Sequence, residues 1–166
     1  DVPFYLNFGI AQIEKWLTEG SIDKLTGLRE RLNADGFIIH VNPLQEWMQP
    51  EGDRLKNSPL ITIQRFLQKT SSAPLIIKEV GQGFGPESMR ALLMLPLMAI
   101  EFAAAGGTNF SKIELDRDEA KSKFMRSFVG VGQTAEEMIT ILNRLSEVLG
   151  TGKLCNNVIV SGGIRD

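Results

Sequence analysis

The segment 40–54 holds the side chains of this sequence that are best suited to chemistry. It follows residues 36–39, a short apolar and β-branched run that is typical of a fully buried strand. In parallel α/β folds, ligands bind where such strands end, because the following loops converge on one crevice or barrel mouth. The polar residues expected there are His40, Asn42, Gln45 and Glu46.

The residue types indicate what this site could bind. Glu46 offers a hard carboxylate of the kind that holds Mg²⁺, which takes one or two carboxylates and completes its shell with water and phosphate oxygens. Gln45 has a neutral amide that suits orienting a substrate. His40 is the single histidine of the sequence, so this chain alone builds no histidine-rich metal site. In the alternative interpretation, Glu46 caps a helix and His40 hydrogen-bonds a loop.

The bulk composition excludes several classes of partner. The sequence is 43% hydrophobic and 23% charged with a net charge of −2, and it has no long basic run, so we expect no nucleic-acid partner. The longest apolar stretch is interrupted by Arg90, Pro96 and Glu101, so we expect no membrane span. Cys155 is the single cysteine, which excludes an internal disulfide and is consistent with a cytoplasmic protein.

Strand-like and helix-like patterns alternate along the chain. Apolar runs predict strands at residues 4–9, 36–39, 75–81, 99–104 and 157–160. Helical patterns cover residues 10–33 with a break near Gly20, a stretch beginning at Ser58, residues 86–95 and residues 134–149. Residues 116–128 are charged and unpatterned, and we expect a mobile segment there. The alternation predicts an α/β fold with a parallel sheet, and the polar strand ends favour a TIM (β/α)8 barrel of which this chain supplies about five β/α units.

Polar or glycine-rich groups follow the other predicted strands as well. Asn7 could hydrogen-bond a cofactor, although an asparagine there is as often a turn residue. Lys78 could contact an anionic cofactor or instead form an ion pair with Glu79. The glycines at 106–107 allow close backbone approach, and Thr108 adds a hydroxyl, a combination that suits phosphate or flavin contacts.

The motif HVNPLQE at residues 40–46, with PEGDR at residues 50–54, resembles the signature of the type 2 isopentenyl diphosphate isomerases, the FMN-dependent form of that enzyme. Further agreement lies at residues 6–12, 77–81, 102–110 and 161–165. The matches follow the family's order over nearly the whole chain, which makes the resemblance specific.

The resemblance implies a flavin-binding barrel that interconverts isopentenyl and dimethylallyl diphosphate in isoprenoid biosynthesis. It implies reduced FMN and Mg²⁺ as cofactors, NADPH as the reductant, and a homo-oligomer. Glu46 would bind the Mg²⁺ that bridges to the substrate diphosphate, and Gln45 would contact the substrate near the reacting carbons. His40 and Asn42 would line the same pocket as catalytic residues. The residues implied to hold FMN are Asn7, Lys78, Thr108, Gly162, Gly163, Ile164 and Arg165.

The chemistry of such a site matches these residue types. Moving a double bond requires adding a proton at one carbon and removing a proton from another, and the reduced flavin is expected to serve as the acid–base group. Lys78 would stabilise negative charge on the reduced flavin. Mg²⁺ and Glu46 would neutralise and orient the diphosphate. The reaction involves no net redox change.

The sequence also departs from the family pattern. The basic amino-terminal part and the eighth strand with its second phosphate-binding turn are absent, and the sequence starts at Asp1 and ends in a loop. We therefore expect residues 1–166 to be a partial barrel from a longer chain, unable to close a barrel or turn over substrate alone.

Two other functions were considered for the same residues. An FMN-dependent 2-hydroxy-acid oxidase or dehydrogenase needs a histidine base late in the chain near an arginine, whereas His40 is early and single. A non-catalytic barrel fragment that acts as a binding module leaves Gln45, Glu46 and Lys78 without a role.

Overall fold

The computed structural model of the protein describes residues 2–70 and 73–164. The strands are β1 (Tyr5–Gly9), β2 (Gly36–His40), β3 (Leu75–Lys78), β4 (Ala99–Glu101) and β5 (Val158–Ile159). The helices are α1 (Ile10–Glu19), α2 (Asp23–Arg31), α3 (Pro43–Met48), α4 (Pro59–Lys69), α5 (Pro86–Leu93), α6 (Phe110–Leu115), α7 (Glu119–Met125) and α8 (Ala135–Leu149). Single 3-10 turns lie at Arg126–Phe128 and Gly150–Gly152. Within the described ranges, no helix is both long and apolar enough to cross a lipid bilayer.

Helix boundaries follow local capping chemistry. Helix α1 ends at Gly20, which adopts the left-handed conformation with φ of 68° that ends many helices. The Ser58 hydroxyl accepts a hydrogen bond from the Ile61 amide at the start of α4. Thr134 and Glu137 form a reciprocal capping box at the start of α8, which agrees with the predicted start of a helix at residue 134.

The strands that the structure describes form one parallel sheet with the order β1-β2-β3-β4-β5. The prediction of an α/β fold with a parallel sheet is confirmed. Each strand pairs with the next strand along the chain, whereas a doubly wound sheet reverses its strand order at a switch point. This order is compatible with an arc of a barrel, and closure into a TIM barrel stays a prediction.

The two faces of the sheet differ in polarity because successive side chains of a strand alternate between them. One face packs against the helices and includes Phe37, Ile77 and Ile100, all fully buried in the hydrophobic core. The other face carries His40 and Lys78. The two residues lie opposite each other, because His40 of β2 pairs with Lys78 of β3 in the sheet. The polar residues at the carboxyl ends of the strands therefore meet along one edge of the sheet.

Several of the predicted elements differ from the structure in their bounds, and helix α7 was missed. Strands β3 and β4 stop at Lys78 and Glu101, earlier than predicted, because the chain then turns into glycine-containing loops. The segment 116–128, for which a mobile segment was predicted, contains helix α7, whose first turn is capped by the Asp118 carboxylate on the Lys121 amide at 2.9 Å. Helix α7 buries none of its residues, so it has no apolar periodicity that the sequence analysis could detect.

Candidate active site

Strands β1 and β2 bring Asn7 and His40 into contact at the carboxyl edge of the sheet. Asn7 Oδ1 lies 2.9 Å from His40 Nδ1. With the amide oxygen as acceptor, Nδ1 carries the proton and Nε2 is left as an acceptor. A Cβ added at Gly9 would lie 3.1 Å from His40 Nε2, so the glycine at the end of β1 leaves room for the imidazole ring. His40 is thus held in one orientation.

The charge state of His40 follows from its surroundings. Burial and the nearby Lys78 cation lower the pKa of His40, and the Glu46 carboxylate opposes them only in part. The pKa therefore lies below its ordinary value, and the imidazole is neutral at neutral pH. A neutral ring suits hydrogen bonding to a ligand better than pairing with an anion.

Helix α3 places Gln45 and Glu46 beside Asn42. Asn42 is the residue before the first helical residue, Pro43, so positions three and four residues later return to the same side. The Asn42 side-chain amide donates to Glu46 Oε1 at 2.9 Å and to Gln45 Oε1 at 3.3 Å. Asn42 is only 3% exposed, so this arrangement is fixed by a buried group. The predicted polar cluster is therefore assembled, with Gln45 and Glu46 on a helix rather than in a loop.

The other atom of the same amide has no partner. Asn42 Oδ1 is buried and accepts no hydrogen bond from any residue that the structure describes. Buried polar atoms are nearly always hydrogen-bonded, and the exceptions are often found where a ligand or water completes the site. The orphaned oxygen marks Asn42 as a residue facing a ligand position.

The loop after α3 supplies a further contact to Glu46. The Asp53 backbone amide donates to Glu46 Oε2 at 2.9 Å. A Cβ added at Gly52 would lie 1.8 Å from the Glu46 carbonyl oxygen, so only glycine lets the loop approach α3 this closely. Gly52 and Asp53 belong to the PEGDR motif, whose pattern did not predict this contact. The glycine was the available signal, since it marks a close approach of two backbone segments.

The residues present fit a magnesium ion held largely by its substrate. Among the described residues, no group of three or more histidine, cysteine, aspartate or glutamate side chains is placed to hold a metal. Mg²⁺ does not need such a group, because it is commonly bound by one or two carboxylates, water and phosphate oxygens. Each carboxylate oxygen of Glu46 accepts one hydrogen bond and keeps a lone pair for a metal.

Three of the residues predicted to hold FMN line one cavity. Lys78, Thr108 and Gly162 border a cavity of about 200 Å³ at the carboxyl ends of β3 and β4. The Lys78 ammonium donates to the Glu79 carbonyl at 3.1 Å. A site that combines a lysine cation, a hydroxyl and a backbone glycine fits an anionic cofactor in chemical type.

The glycine turn after β5 packs into the loop that follows β4. Gly162 and Gly163 have φ values of 86° and 66°, which other residues rarely adopt. A Cβ added at Gly162 would lie 2.4 Å from the Ala104 amide nitrogen. Ile164 is 65% exposed, and Arg165 lies outside the described residues. The structure thus places Gly162 and Gly163 beside the cavity and leaves the roles of Ile164 and Arg165 as predictions.

Glu79 does not form the ion pair with Lys78 that was considered as an alternative. Its Oε2 accepts backbone hydrogen bonds from Val80, Gln82 and Gly83 at 2.6, 2.5 and 3.1 Å. Burial raises the pKa of Glu79, and these hydrogen bonds offset only part of that rise. Through these hydrogen bonds, the Glu79 carboxylate stabilises the glycine-rich loop after β3. The Lys78 ammonium is therefore not paired with this carboxylate and can contact a ligand.

A larger cavity borders Glu79 and the two residues that flank Asn42, Val41 and Pro43. It has a volume of about 510 Å³ and lies between α4 and α5, lined mainly by apolar groups such as Ile63, Phe84 and Leu92. None of the site residues predicted from the sequence lines it. The cluster around Asn42 is the better candidate site because it combines convergent polar groups with an unsatisfied buried atom.

Some curated proteins are similar to this chain over its whole length. A protein of Nostoc sp. named isopentenyl-diphosphate delta-isomerase is 32% identical over all of this chain, and one of Cronobacter sakazakii with the same name is 34% identical over all of it. These alignments support the isopentenyl-diphosphate delta-isomerase family. A Listeria monocytogenes protein of that name is 38% identical over 68% of this chain. No family model matches the chain.

The match covers only part of each relative. This chain spans 45% of the length of the Nostoc and Cronobacter proteins and 32% of the Listeria protein. The other parts of those proteins have no counterpart among the 166 residues.

Proposed function

We propose that the protein to which this chain contributes interconverts isopentenyl diphosphate and dimethylallyl diphosphate in isoprenoid biosynthesis, as the type 2, FMN-dependent isomerase. The observation that carries the proposal is the buried Asn42 amide, which holds Gln45 and Glu46 side by side. The names of the relatives support the substrate and the reaction. We further propose a cytoplasmic homo-oligomer.

The proposed fold is a (β/α)8 barrel to which residues 1–166 contribute about five β/α units. Sequential parallel strand order and a row of polar strand ends support it. The remaining strands would come from the part of the protein beyond this chain, as the length of the relatives suggests.

The proposed flavin site consists of the cavity beside Lys78 and Thr108 together with Asn7 and residues 162–165. When bound and reduced by NADPH, FMN would supply the acid–base chemistry of the double-bond shift. The Lys78 ammonium would stabilise the negative charge of the bound cofactor. Its attraction would be strong because the position is partly shielded from water. Gln45 would orient the hydrocarbon part of the substrate, and neutral His40 would donate or accept a hydrogen bond without attracting the metal-bound diphosphate.

The proposed metal ligand is Glu46. Asn42 and the Asp53 amide each hold one of its oxygens, which fixes the direction of the remaining lone pairs. Mg²⁺ held there would neutralise and orient the substrate diphosphate. The burial of Asn42 keeps this geometry in place before substrate arrives.

The test is isomerase turnover by the full-length protein with isopentenyl diphosphate, FMN, NADPH and Mg²⁺, with Glu46→Gln beside it. We expect kcat/KM to fall by at least about 100-fold in this variant because the proposed metal site loses the charge of its glutamate ligand. Glu147→Gln is the control, since Glu147 is an exposed carboxylate on α8.

Two results would contradict the proposal in different ways. Unchanged turnover and Mg²⁺ dependence in Glu46→Gln would remove the metal role of Glu46. Absence of isomerisation by the wild-type protein, with reduction of its flavin by a 2-hydroxy acid, would replace the isomerase with an oxidase or dehydrogenase.

A further inference from the structure

The α3–α4 loop (residues 49–58) is fixed by carboxylates at two points. Glu46 accepts a hydrogen bond from the Asp53 amide at 2.9 Å. Near the end of the loop, Glu14 of α1 accepts from the Lys56 amide at 2.9 Å and from the backbone and side-chain amides of Asn57, both at 2.7 Å. Two acidic residues from different helices therefore hold one short loop.

Glu14 lies where an apolar residue would be expected. It is next to Ile13 on the stripe of α1 that packs into the core, and it is 6% exposed. A carboxylate in such a position is costly unless hydrogen bonds satisfy it. Burial raises the pKa of Glu14, but the hydrogen bonds from Lys56 and Asn57 outweigh it, so the pKa lies below its ordinary value. Glu14 is therefore a charged anchor that the chemistry proposed above does not use.

Other contacts to the α3–α4 loop are more exposed. Arg117 pairs with Glu51 at 2.9 Å, but the two side chains are 48% and 58% exposed. The Lys121 ammonium lies 3.4 Å from the Gln49 carbonyl, at the far limit of a hydrogen bond. Exposed ion pairs constrain a loop weakly because water and salt screen them. Glu14 is the contact best able to fix the loop.

A displacement at Lys56 would be transmitted to Asp53. The two residues are only three positions apart, so the chain between them spans at most about 11 Å. On the other side of Asp53, Gly52 is pressed against the Glu46 carbonyl and cannot move towards it. The stretch between Asp53 and Lys56 is therefore short and is hydrogen-bonded to a carboxylate at each end.

We propose that Glu14 is a positioning residue for the metal site: by fixing Lys56 and Asn57, it keeps the Asp53 amide on Glu46 and thereby sets the affinity for the Mg²⁺–diphosphate complex. This inference rests on the proposed isomerase function. Glu14 touches neither metal nor substrate and acts through the α3–α4 loop.

The experiment compares Glu14→Gln with Glu19→Gln in the full-length protein. Both variants neutralise one glutamate of α1, but Glu19 is exposed. In Glu14→Gln, we expect the Mg²⁺ concentration for half-maximal turnover to rise about tenfold, the scale of an outer contact to a metal ligand, while kcat at saturating Mg²⁺ stays close to the wild-type value. We also expect faster amide hydrogen exchange in the α3–α4 loop. Glu19→Gln should match wild type in all three.

A purely structural role for Glu14 would give a different pattern. A fall in kcat without a shift in Mg²⁺ dependence would overturn the proposal, and so would faster loop exchange with unchanged Mg²⁺ dependence. If Glu14→Gln does not fold, Asn57→Ala decides, since it removes one of the three donors: a smaller shift in the same direction supports the proposal and no shift refutes it. Absence of Mg²⁺-dependent turnover in the wild-type protein would instead refute the proposed function, and this inference with it.

Discussion

The pKa of His40 depends on two charged residues of the candidate site, Lys78 and Glu46. Burial is the main cause that lowers the pKa of His40, the Lys78 cation lowers it further, and the Glu46 carboxylate raises it. Asn7 fixes the ring through Nδ1, so a proton gained at low pH would go to Nε2. The protonation state of this one side chain therefore reports on the electrostatics of the whole site.

Replacing Lys78 with methionine should raise the pKa of His40, because the methionine keeps the chain length and removes the cation that disfavours the imidazolium. The measurement is a pH titration of the imidazole carbon-bound protons by NMR in the full-length protein, with His40→Gln used to assign the signal. A lower or unchanged pKa in Lys78→Met would mean that the lysine charge does not reach His40.

The same shift has a consequence for folding. The unfolded chain binds a proton at His40 near the ordinary pKa of about 6.5, whereas the folded protein binds it only at lower pH. The contribution of neutral His40 to stability is therefore present above about pH 6.5 and is lost as pH falls through the lowered pKa. Denaturant unfolding as a function of pH should show a smaller loss of stability over this window in His40→Gln than in wild type.

At the residue scale, the sequence predicted the members of the site better than their contacts. His40 and Lys78 end apolar strands, and parallel register brings these strand ends together, while Asn7 lies in the middle of β1 and reaches His40 through its side chain. The contact of Glu14 with Lys56 joins residues 42 positions apart and uses a backbone donor, which leaves no side-chain pattern. The charged residue on an apolar helix stripe was a signal that Glu14 needed a partner, but it did not name the partner.

At the scale of elements, α3 and the α3–α4 loop form one unit. The helix turn sets Gln45 and Glu46 beside Asn42, and the loop returns to complete the contacts of Glu46. Within the loop, Gly52 packs against the backbone of α3 at Glu46. This close packing of the two backbones, with the hydrogen bonds to both of its oxygens, restricts the Glu46 carboxylate.

Gly52→Ala should disturb this unit, because the new Cβ would lie 1.8 Å from the Glu46 carbonyl oxygen and the loop must move away. We expect a loss of about 1–3 kcal/mol in the free energy of unfolding and a higher Mg²⁺ requirement for turnover. Gly130→Ala is the matched control, since a Cβ there has no neighbour within 4 Å. Denaturant unfolding and an Mg²⁺ titration of turnover measure the two effects, and equal behaviour of the two variants would refute this account.

Element boundaries were predictable where capping or apolar periodicity defines them. The capping box at Thr134 and the proline at position 59 marked the starts of α8 and α4. Helix α7 escaped detection because it buries no residues, and a cap at Asp118 alone is a weak signal. The early ends of β3 and β4 depend on where the neighbouring strands stop pairing, which a single strand does not encode.

At the scale of the whole molecule, apolar surface is exposed at both ends of the strand order. Phe4, just before β1, is 49% exposed, and Ile159 of β5 is 42% exposed. Among the described residues, β1 and β5 each pair with one strand only. Unpaired edges of this kind are normally covered or paired in native proteins. Local patterns predicted the strands and their parallel order, but closure depends on surfaces that lie outside any one strand, so it was not predictable from these 166 residues.

Residues 1–166 expressed alone should therefore differ from the full-length protein. We expect the isolated chain to show no isomerase turnover, because its polar strand ends would line an open edge rather than an enclosed site, and the chain spans only 45% of the Nostoc and Cronobacter relatives. It should also associate or bind a hydrophobic dye through its exposed sheet edges. Turnover, dye fluorescence and size-exclusion chromatography, run beside the full-length protein, measure these differences. A monomeric 166-residue chain with wild-type turnover would show that the site is complete without further strands, and the partial barrel would then have to be abandoned in favour of an open parallel sheet that works alone.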